Sequence, residues 1–143
     1  GHDGMPYSAG ERVQNHIDLS AEMDKHGIAM EDRFLDALVF PVGAGPDWGR
    51  DYLDAIRQLH EMFPEVHLFG GHSNASFGLP NRKVLNHAFL ILAILAGCDT
   101  IMTDPLMNQP VDYLEFKLAS DALTGIDQYS RNFIAYHRSK RVA

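Results

Sequence analysis

Apolar residues recur at helical spacing along much of this chain, and short apolar runs separate the helical stretches. Val13, Ile17, Ala21 and Met23 predict a helix over Glu11–His26, with Gly27 placed to end it. Arg33–Pro41 (Arg-Phe-Leu-Asp-Ala-Leu-Val-Phe-Pro) then predicts a buried strand carrying a single acid, Asp36. After a connection rich in Gly and Pro, Tyr52, Leu53, Ile56, Leu59 and Phe63 predict a helix over Trp48–Phe63, which Pro64 stops. Val66–Phe69 is a second strand. Arg82–Ala96 is a third helix, with Leu85, Ala88, Phe89, Leu92 and Ala96 on one face. Ile91 and Ile94 lie off that face, so two sides of this helix are expected to be covered. Gly97 ends it, and Asp99–Asp104 is expected as a third short strand. A loop over 105–110 leads to helices at Val111–Leu123 and Ile126–Lys140, divided at Thr124-Gly125.

A helix stands between each pair of consecutive strands, which predicts βαβ units and a parallel sheet, an α/β fold. The connection from the second strand to the third helix, Gly70–Arg82, is the most distinctive stretch. It reads Gly-Gly-His-Ser-Asn-Ala-Ser-Phe-Gly-Leu-Pro-Asn-Arg, small and polar with three glycines, the kind of loop that lets backbone and short side chains approach a ligand. Within it Asn74 both donates and accepts hydrogen bonds without carrying charge. An ordinary turn-forming asparagine is the alternative reading.

The segment Ser73–Leu90, Ser-Asn-Ala-Ser-Phe-Gly-Leu-Pro-Asn-Arg-Lys-Val-Leu-Asn-His-Ala-Phe-Leu, resembles the pterin-site loop and following helix of methyltetrahydrofolate:corrinoid methyltransferases. These belong to the pterin-binding barrel superfamily, with dihydropteroate synthase and the folate domain of cobalamin-dependent methionine synthase. Leu35-Asp-Ala-Leu-Val-Phe-Pro41 is similar to that family's Ile-Asp-Pro-Leu-Val-x-Pro strand, with Ala37 where the family usually has proline. Three strands cannot close an eight-stranded barrel. The resemblance therefore implies the C-terminal half of a TIM (β/α)8 barrel, a single partial domain over residues 1–143. It also implies completion by a missing N-terminal half or by a second copy of the chain in a homo-oligomer.

The formal net charge of −7 and the absence of a basic face argue against a nucleic-acid partner, and the Arg138–Arg141 cluster reads as a solvated helix end. The longest apolar run, Ala88–Gly97, is too short to span a membrane. The polar start, Gly1-His-Asp-Gly-Met-Pro, shows no signal peptide, so a cytoplasmic protein is expected. Gly1-His2 also reads as a cloning remnant. Cys98 is the one cysteine, which excludes an intramolecular disulfide and a cysteine-built zinc site. The eight histidines show no metal-ligand spacing, and only His72 adjoins the distinctive loop.

In a parallel barrel the reacting groups sit at the C-terminal ends of the strands. Asp36, Asn74 and Asp104 fall at such places. The resemblance implies that Asp36 accepts hydrogen bonds from the amino and ring N–H groups of a pterin; its alternatives are a helix cap or an ion pair. It implies that Asn74 lies near folate N5 and helps that nitrogen become protonated. Ser73, Ser76, Arg82 and Asp104 join the expected pterin site. Arg82 is open to three roles: pairing with Asp36 or Asp104, reaching the cofactor side, or holding the loop at the helix start. The expected activity moves a methyl group between tetrahydrofolate N5 (5-methyltetrahydrofolate as methyl donor) and the cobalt of a cobalamin carried by a separate corrinoid protein. Other pterin-barrel chemistry, such as pteroate synthesis, is one alternative. A non-catalytic half-barrel that binds pterin or a partner is the other.

Overall fold

The computed structural model describes residues 4–106 and 109–140. Gly1-His2, Met107 and Asn108 of the expected 105–110 loop, and Arg141 of the basic cluster lie outside them. The described residues form a helix-dominated α/β arrangement that divides after Thr103 into two compact units.

The first unit begins with helix α1, Ala9–Lys25, two residues earlier than its apolar pattern predicts. Ser8 and Glu11 set that start as a capping box: Ser8 Oγ accepts the Glu11 N–H at 3.2 Å, and the Glu11 carboxylate accepts the Ser8 N–H at 2.9 Å. Strand β1 is Phe34–Asp36, helix α2 is Trp48–Met62, strand β2 is His67–Phe69 and helix α3 is Arg82–Ala96. The two strands are parallel, with Phe34 opposite His67, Leu35 opposite Leu68 and Asp36 opposite Phe69.

The first strand is much shorter than the apolar run Arg33–Pro41 suggests, and Asp36 is the reason. Its Oδ1 accepts the Leu38 N–H at 2.8 Å, and Leu38 turns into the left-handed region at φ 58. This side-chain-to-backbone turn withdraws the chain from strand geometry.

The expected strand over Asp99–Asp104 does not form. Asp99 occupies the β2 edge instead. The Arg33 carbonyl receives the His67 N–H from β2, so by alternation Leu68 directs its groups to the opposite side. There the Leu68 carbonyl accepts the N–H groups of Asp99 and Thr100, each at 3.3 Å, and Asp99 Oδ1 accepts the Leu68 N–H at 3.0 Å. Asp99 Oδ2 also lies 2.7 Å from His67 Nδ1. One carboxylate thus takes the hydrogen bond that a third strand would have supplied.

The core gathers on one face of this small sheet. Leu35 and Leu68 point into it with Tyr52, Ile56 and Leu59 of α2 and Ala93 and Ala96 of α3. The face of α2 matches the expected one, Phe89, Ile94 and Ala96 of α3 are buried as expected, and on α1 Val13 is buried with Ile17 and Met23 packed against the core. On α3 the buried side is Phe89, Leu90, Ala93, Ile94 and Ala96, while Leu85 and Leu92 are exposed. Small Ala93 and Ala96 permit close packing, and a side chain at Gly97 would meet His60 at 2.7 Å. On α1 the buried residues are Arg12, Val13, His16 and Ser20, a polar stripe at four-residue spacing. On the opposite face Asp36, His67 and Phe69 are half-buried, while Phe34 is 55% exposed and stacks on His67, ring centroids 4.6 Å apart.

The second unit holds helix α4, Pro110–Thr124, and helix α5, Arg131–Ser139. Gly125, at φ 81, ends α4 in the left-handed region that favours glycine. The Asp127 carboxylate accepts the N–H groups of Asn132 and Phe133 at the start of α5, and Lys140 pairs with Glu115.

Removing the Asp99 carboxylate strands a buried backbone donor. Asp99→Ala is expected to lower unfolding free energy by about 1–3 kcal/mol, read from urea denaturation. A midpoint equal to that of the parent would show that the β2 edge does not depend on Asp99.

Candidate functional site

The candidate site grows from the C-terminal end of β2. A side chain at Gly70 would lie 2.8 Å from Tyr52 Oη and 3.0 Å from Val39 Cγ2, so the backbone passes against the core where only glycine fits. A turn of 3-10 helix, His72–Ser76, follows at once. Its two ends are buried, His72 at 4% and Ser76 at 0% exposure, whereas Ser73 and Asn74 between them are exposed.

The His72 end is held by α2. His72 Nε2 and Tyr52 Oη are 3.0 Å apart, and Cys98 Sγ lies 3.5 Å from the same hydroxyl while donating to the Leu68 carbonyl at 3.1 Å. His72 Nδ1 is buried without a hydrogen-bond partner among the described residues. Burial pushes the His72 pKa down to about 4 and the Cys98 thiol up to about 11, and it raises the Tyr52 hydroxyl as well. All three groups are therefore neutral near pH 7, and Cys98 is a poor nucleophile.

The Ser76 end is held by α3. Arg82 Nε donates to Ser76 Oγ at 3.0 Å, and Ser76 Oγ donates to Asn86 Oδ1 at 2.6 Å. Arg82 Nη2 also donates to the Ser73 carbonyl at 2.9 Å. Of the roles open to Arg82, the structure displays the loop-holding one, since its guanidinium donates to Ser76 Oγ and to the Ser73 carbonyl. Within the turn, the Asn74 N–H donates to the Gly71 carbonyl and the Asn74 carbonyl accepts the Phe77 N–H. Its side-chain amide stays at the surface.

Asp36 ends the neighbouring strand, and the Val42 N–H donates to the Ala75 carbonyl at 3.0 Å, tying the chain after β1 to the turn after β2. The structure thus brings Ser73, Asn74, Ser76 and Arg82 together and sets Asp36 at the adjoining strand end. Asp36 also lines a concavity of about 980 Å³ together with His16, Asp18, Glu22 and Leu38. Asp104 belongs to the second unit, where its carboxylate accepts the Leu106 N–H at 2.9 Å. Among the described residues no cluster of three His, Cys, Asp or Glu side chains is arranged to hold a metal, and no helix is long and apolar enough to cross a membrane.

Two participants escape the sequence reading. Tyr52 reads as an apolar core position because nothing local reveals its partner twenty residues on. Asn86 carried a signal, since it lies four residues after Arg82 on the same helical face.

No protein-family model matches this chain. It is 27% identical, over 97% of its length, to the methylcorrinoid:tetrahydrofolate methyltransferase of Eubacterium limosum, of which it covers 50%. It is 34% identical over 71% of its length to the methionine synthase of Mycobacterium leprae (strain TN), and 34% identical over 63% to that of Mycobacterium tuberculosis (strain ATCC 25618 / H37Rv). The chain is similar in sequence to these proteins. It spans half the length of the first and 8% of each of the other two.

The buried histidine gives a pH signature. Above the ordinary value of 6.5 the ring is neutral in both states and its contribution is fully present. As pH falls from there toward about 4, the unfolded chain takes up a proton that the folded chain refuses, and stability declines. The His72 share of the loss between pH 7 and pH 5 is about 2 kcal/mol. Urea unfolding at both pH values should show the loss shrinking by that amount in His72→Gln; an unchanged loss would contradict it.

Proposed function

We propose that this chain carries one side of the pterin site of a methyltransferase acting between tetrahydrofolate N5 and the cobalt of a corrinoid protein. The observation that carries the reading is the turn His72–Ser76, fixed at both ends, tied at Ala75 to the chain after β1, and carrying the exposed, neutral Asn74 amide. Similarity over nearly the whole chain to a methylcorrinoid:tetrahydrofolate methyltransferase supports the same chemistry.

The residues fit a pterin. One Asp36 oxygen is committed to the Leu38 N–H, which orients the carboxylate and leaves Oδ2 for the N–H edge of the ring. In this reading the exposed Asn74 is the amide that reaches N5. Cleavage of the methyl–N5 bond leaves its electron pair on nitrogen, so N5 departs well only as it becomes protonated. A neutral amide is too weak an acid to deliver that proton alone. It hydrogen-bonds N5 and favours the protonated form, an interaction that strengthens toward the transition state. The corrinoid, borne by a separate protein, receives the methyl group at Co(I), or yields it in the opposite direction. Ser73 shares the exposed rim with Asn74, while Ser76 and Arg82 hold the turn.

The pocket has a second side that these residues do not supply. The outward edge of β1 offers the N–H and C=O groups of Phe34 and Asp36, of which, among the described residues, the Asp36 carbonyl meets a side chain, His16 Nε2 at 3.1 Å. The Phe34 side chain is also exposed. Further polypeptide, another half-barrel or a second copy, closes over the folate in this reading and adds to the contacts that Asp36 and Asn74 make on their own.

With 5-methyltetrahydrofolate as donor and cob(I)alamin as acceptor, Asn74→Ala is expected to slow methyl transfer by about 10²-fold. Its exposure predicts an unchanged fold. Parental turnover in the variant would remove Asn74 from the mechanism.

A further inference from the structure

The turn that presents Asn74 is pinned from two directions by residues that do not themselves reach the exposed rim. We infer that Tyr52 and Asn86 are positioning residues for Asn74, the first fixing the turn at His72 and the second fixing it at Ser76. The inference rests on the pterin reading for its functional consequence, while its structural part can be tested alone.

The hydrogen-bond polarity at the Ser76 end decides what each side chain does. The Ser76 hydroxyl has one proton, and two acceptors lie within reach: Asn86 Oδ1 at 2.6 Å and the Ser73 carbonyl at 3.2 Å. The shorter contact assigns the proton to Asn86. The hydroxyl oxygen then faces Arg82 Nε at 3.0 Å as a pure acceptor, and the Ser73 carbonyl is left to Arg82 Nη2 at 2.9 Å. Asn86 thus sets the direction of the whole chain. Without its acceptor, the Ser76 proton turns to the Ser73 carbonyl and competes with Arg82 at the residue just before Asn74. Ser76 is completely buried, so water does not replace the lost partner.

Tyr52 does the corresponding work at the other end. Its hydroxyl meets the buried His72 Nε2, and its ring packs edge-on to the imidazole with centroids 5.7 Å apart. The two anchors bracket Ser73 and Asn74 within a five-residue turn. A small rotation at either end swings the Asn74 amide, and misplacement of about 1 Å is enough to lose much of a directed hydrogen bond.

The test uses the whole chain with Asn86→Leu, Asn86→Asp and Tyr52→Phe. Asn86→Leu deletes the acceptor, Asn86→Asp keeps an acceptor beside Arg82, and Tyr52→Phe removes one hydroxyl while retaining the ring. Two quantities are read: affinity for 5-methyltetrahydrofolate, and amide hydrogen exchange at Asn74 and Phe77. We expect Asn86→Leu and Tyr52→Phe to weaken binding about 10-fold and to speed exchange at both amides, with Asn86→Asp restoring both. Restoration separates positioning from loss of packing, because aspartate fills the same space as asparagine. If the parent binds and Asn86→Leu binds equally well, the positioning inference falls while the pterin reading stands. If the parent does not bind, the pterin reading falls, and exchange alone decides whether the two residues hold the turn; unchanged exchange in both variants overturns that as well.

Discussion

Everything distinctive about this surface depends on a histidine lying inside the core. His72 follows directly on Gly70 and Gly71, at the point where the backbone leaves β2 against Tyr52. A larger residue at Gly70 would hold the chain away, and an apolar residue at His72 would leave the Tyr52 hydroxyl with only the weak Cys98 sulfur. The buried pair converts a flexible strand-to-helix connection into a turn of fixed direction. The same burial that holds His72 neutral also protects Cys98 from reacting. Rigidity beneath and exposure above are two outcomes of one packing arrangement.

Helix α1 shows a different compromise. Its buried stripe of Arg12, His16 and Ser20 places a guanidinium wholly inside the fold, over the Phe40 ring at 5.1 Å, with no hydrogen-bond acceptor among the described residues. Burial lowers the Arg12 pKa, and the charge of Asp51 opposes that shift. His16 places one ring nitrogen 2.7 Å from the Arg12 carbonyl and the other 3.1 Å from the Asp36 carbonyl, linking α1 to the open edge of β1. Side chains rather than a neighbouring strand satisfy part of this edge, just as Asp99 does at the edge of β2. The two-stranded sheet therefore persists with each margin partly closed by a polar residue.

Much of this was legible in the sequence, and the misses have physical causes. Helical periodicity located α1, α2 and α3 because long amphipathic segments report their period clearly, whereas the last helix, expected from Ile126, begins only at Arg131 because Tyr129 and Ser130 turn into the left-handed region. The periodicity placed Phe89, Ala96 and Ile94 of α3 and Val13, Ile17 and Met23 of α1 in or against the core, but not the exposure of Leu85 and Leu92 or the burial of Arg12 and His16, which follow from what packs nearby. The strands were overestimated for a common reason. Asp36 and Asp99 look like strand residues by position, yet their carboxylates capture backbone N–H groups and end or replace pairing. In the candidate site, the loop carrying Ser73, Asn74, Ser76 and Arg82 stood out by composition and resemblance. The anchor Tyr52 did not, because its role exists only once α2 has packed against the turn, and Asn86 was marked only by its four-residue spacing from Arg82.

The most direct test of the account is a calorimetric titration of this chain with 5-methyltetrahydrofolate, run in parallel with Asp36→Ala. The account requires saturable binding to the parent chain and at least about 10-fold weaker binding to the variant, the loss expected when a charge-assisted contact to the pterin edge is removed. Equal affinity in the two chains would show that Asp36 is no part of a pterin site and would contradict the central claim.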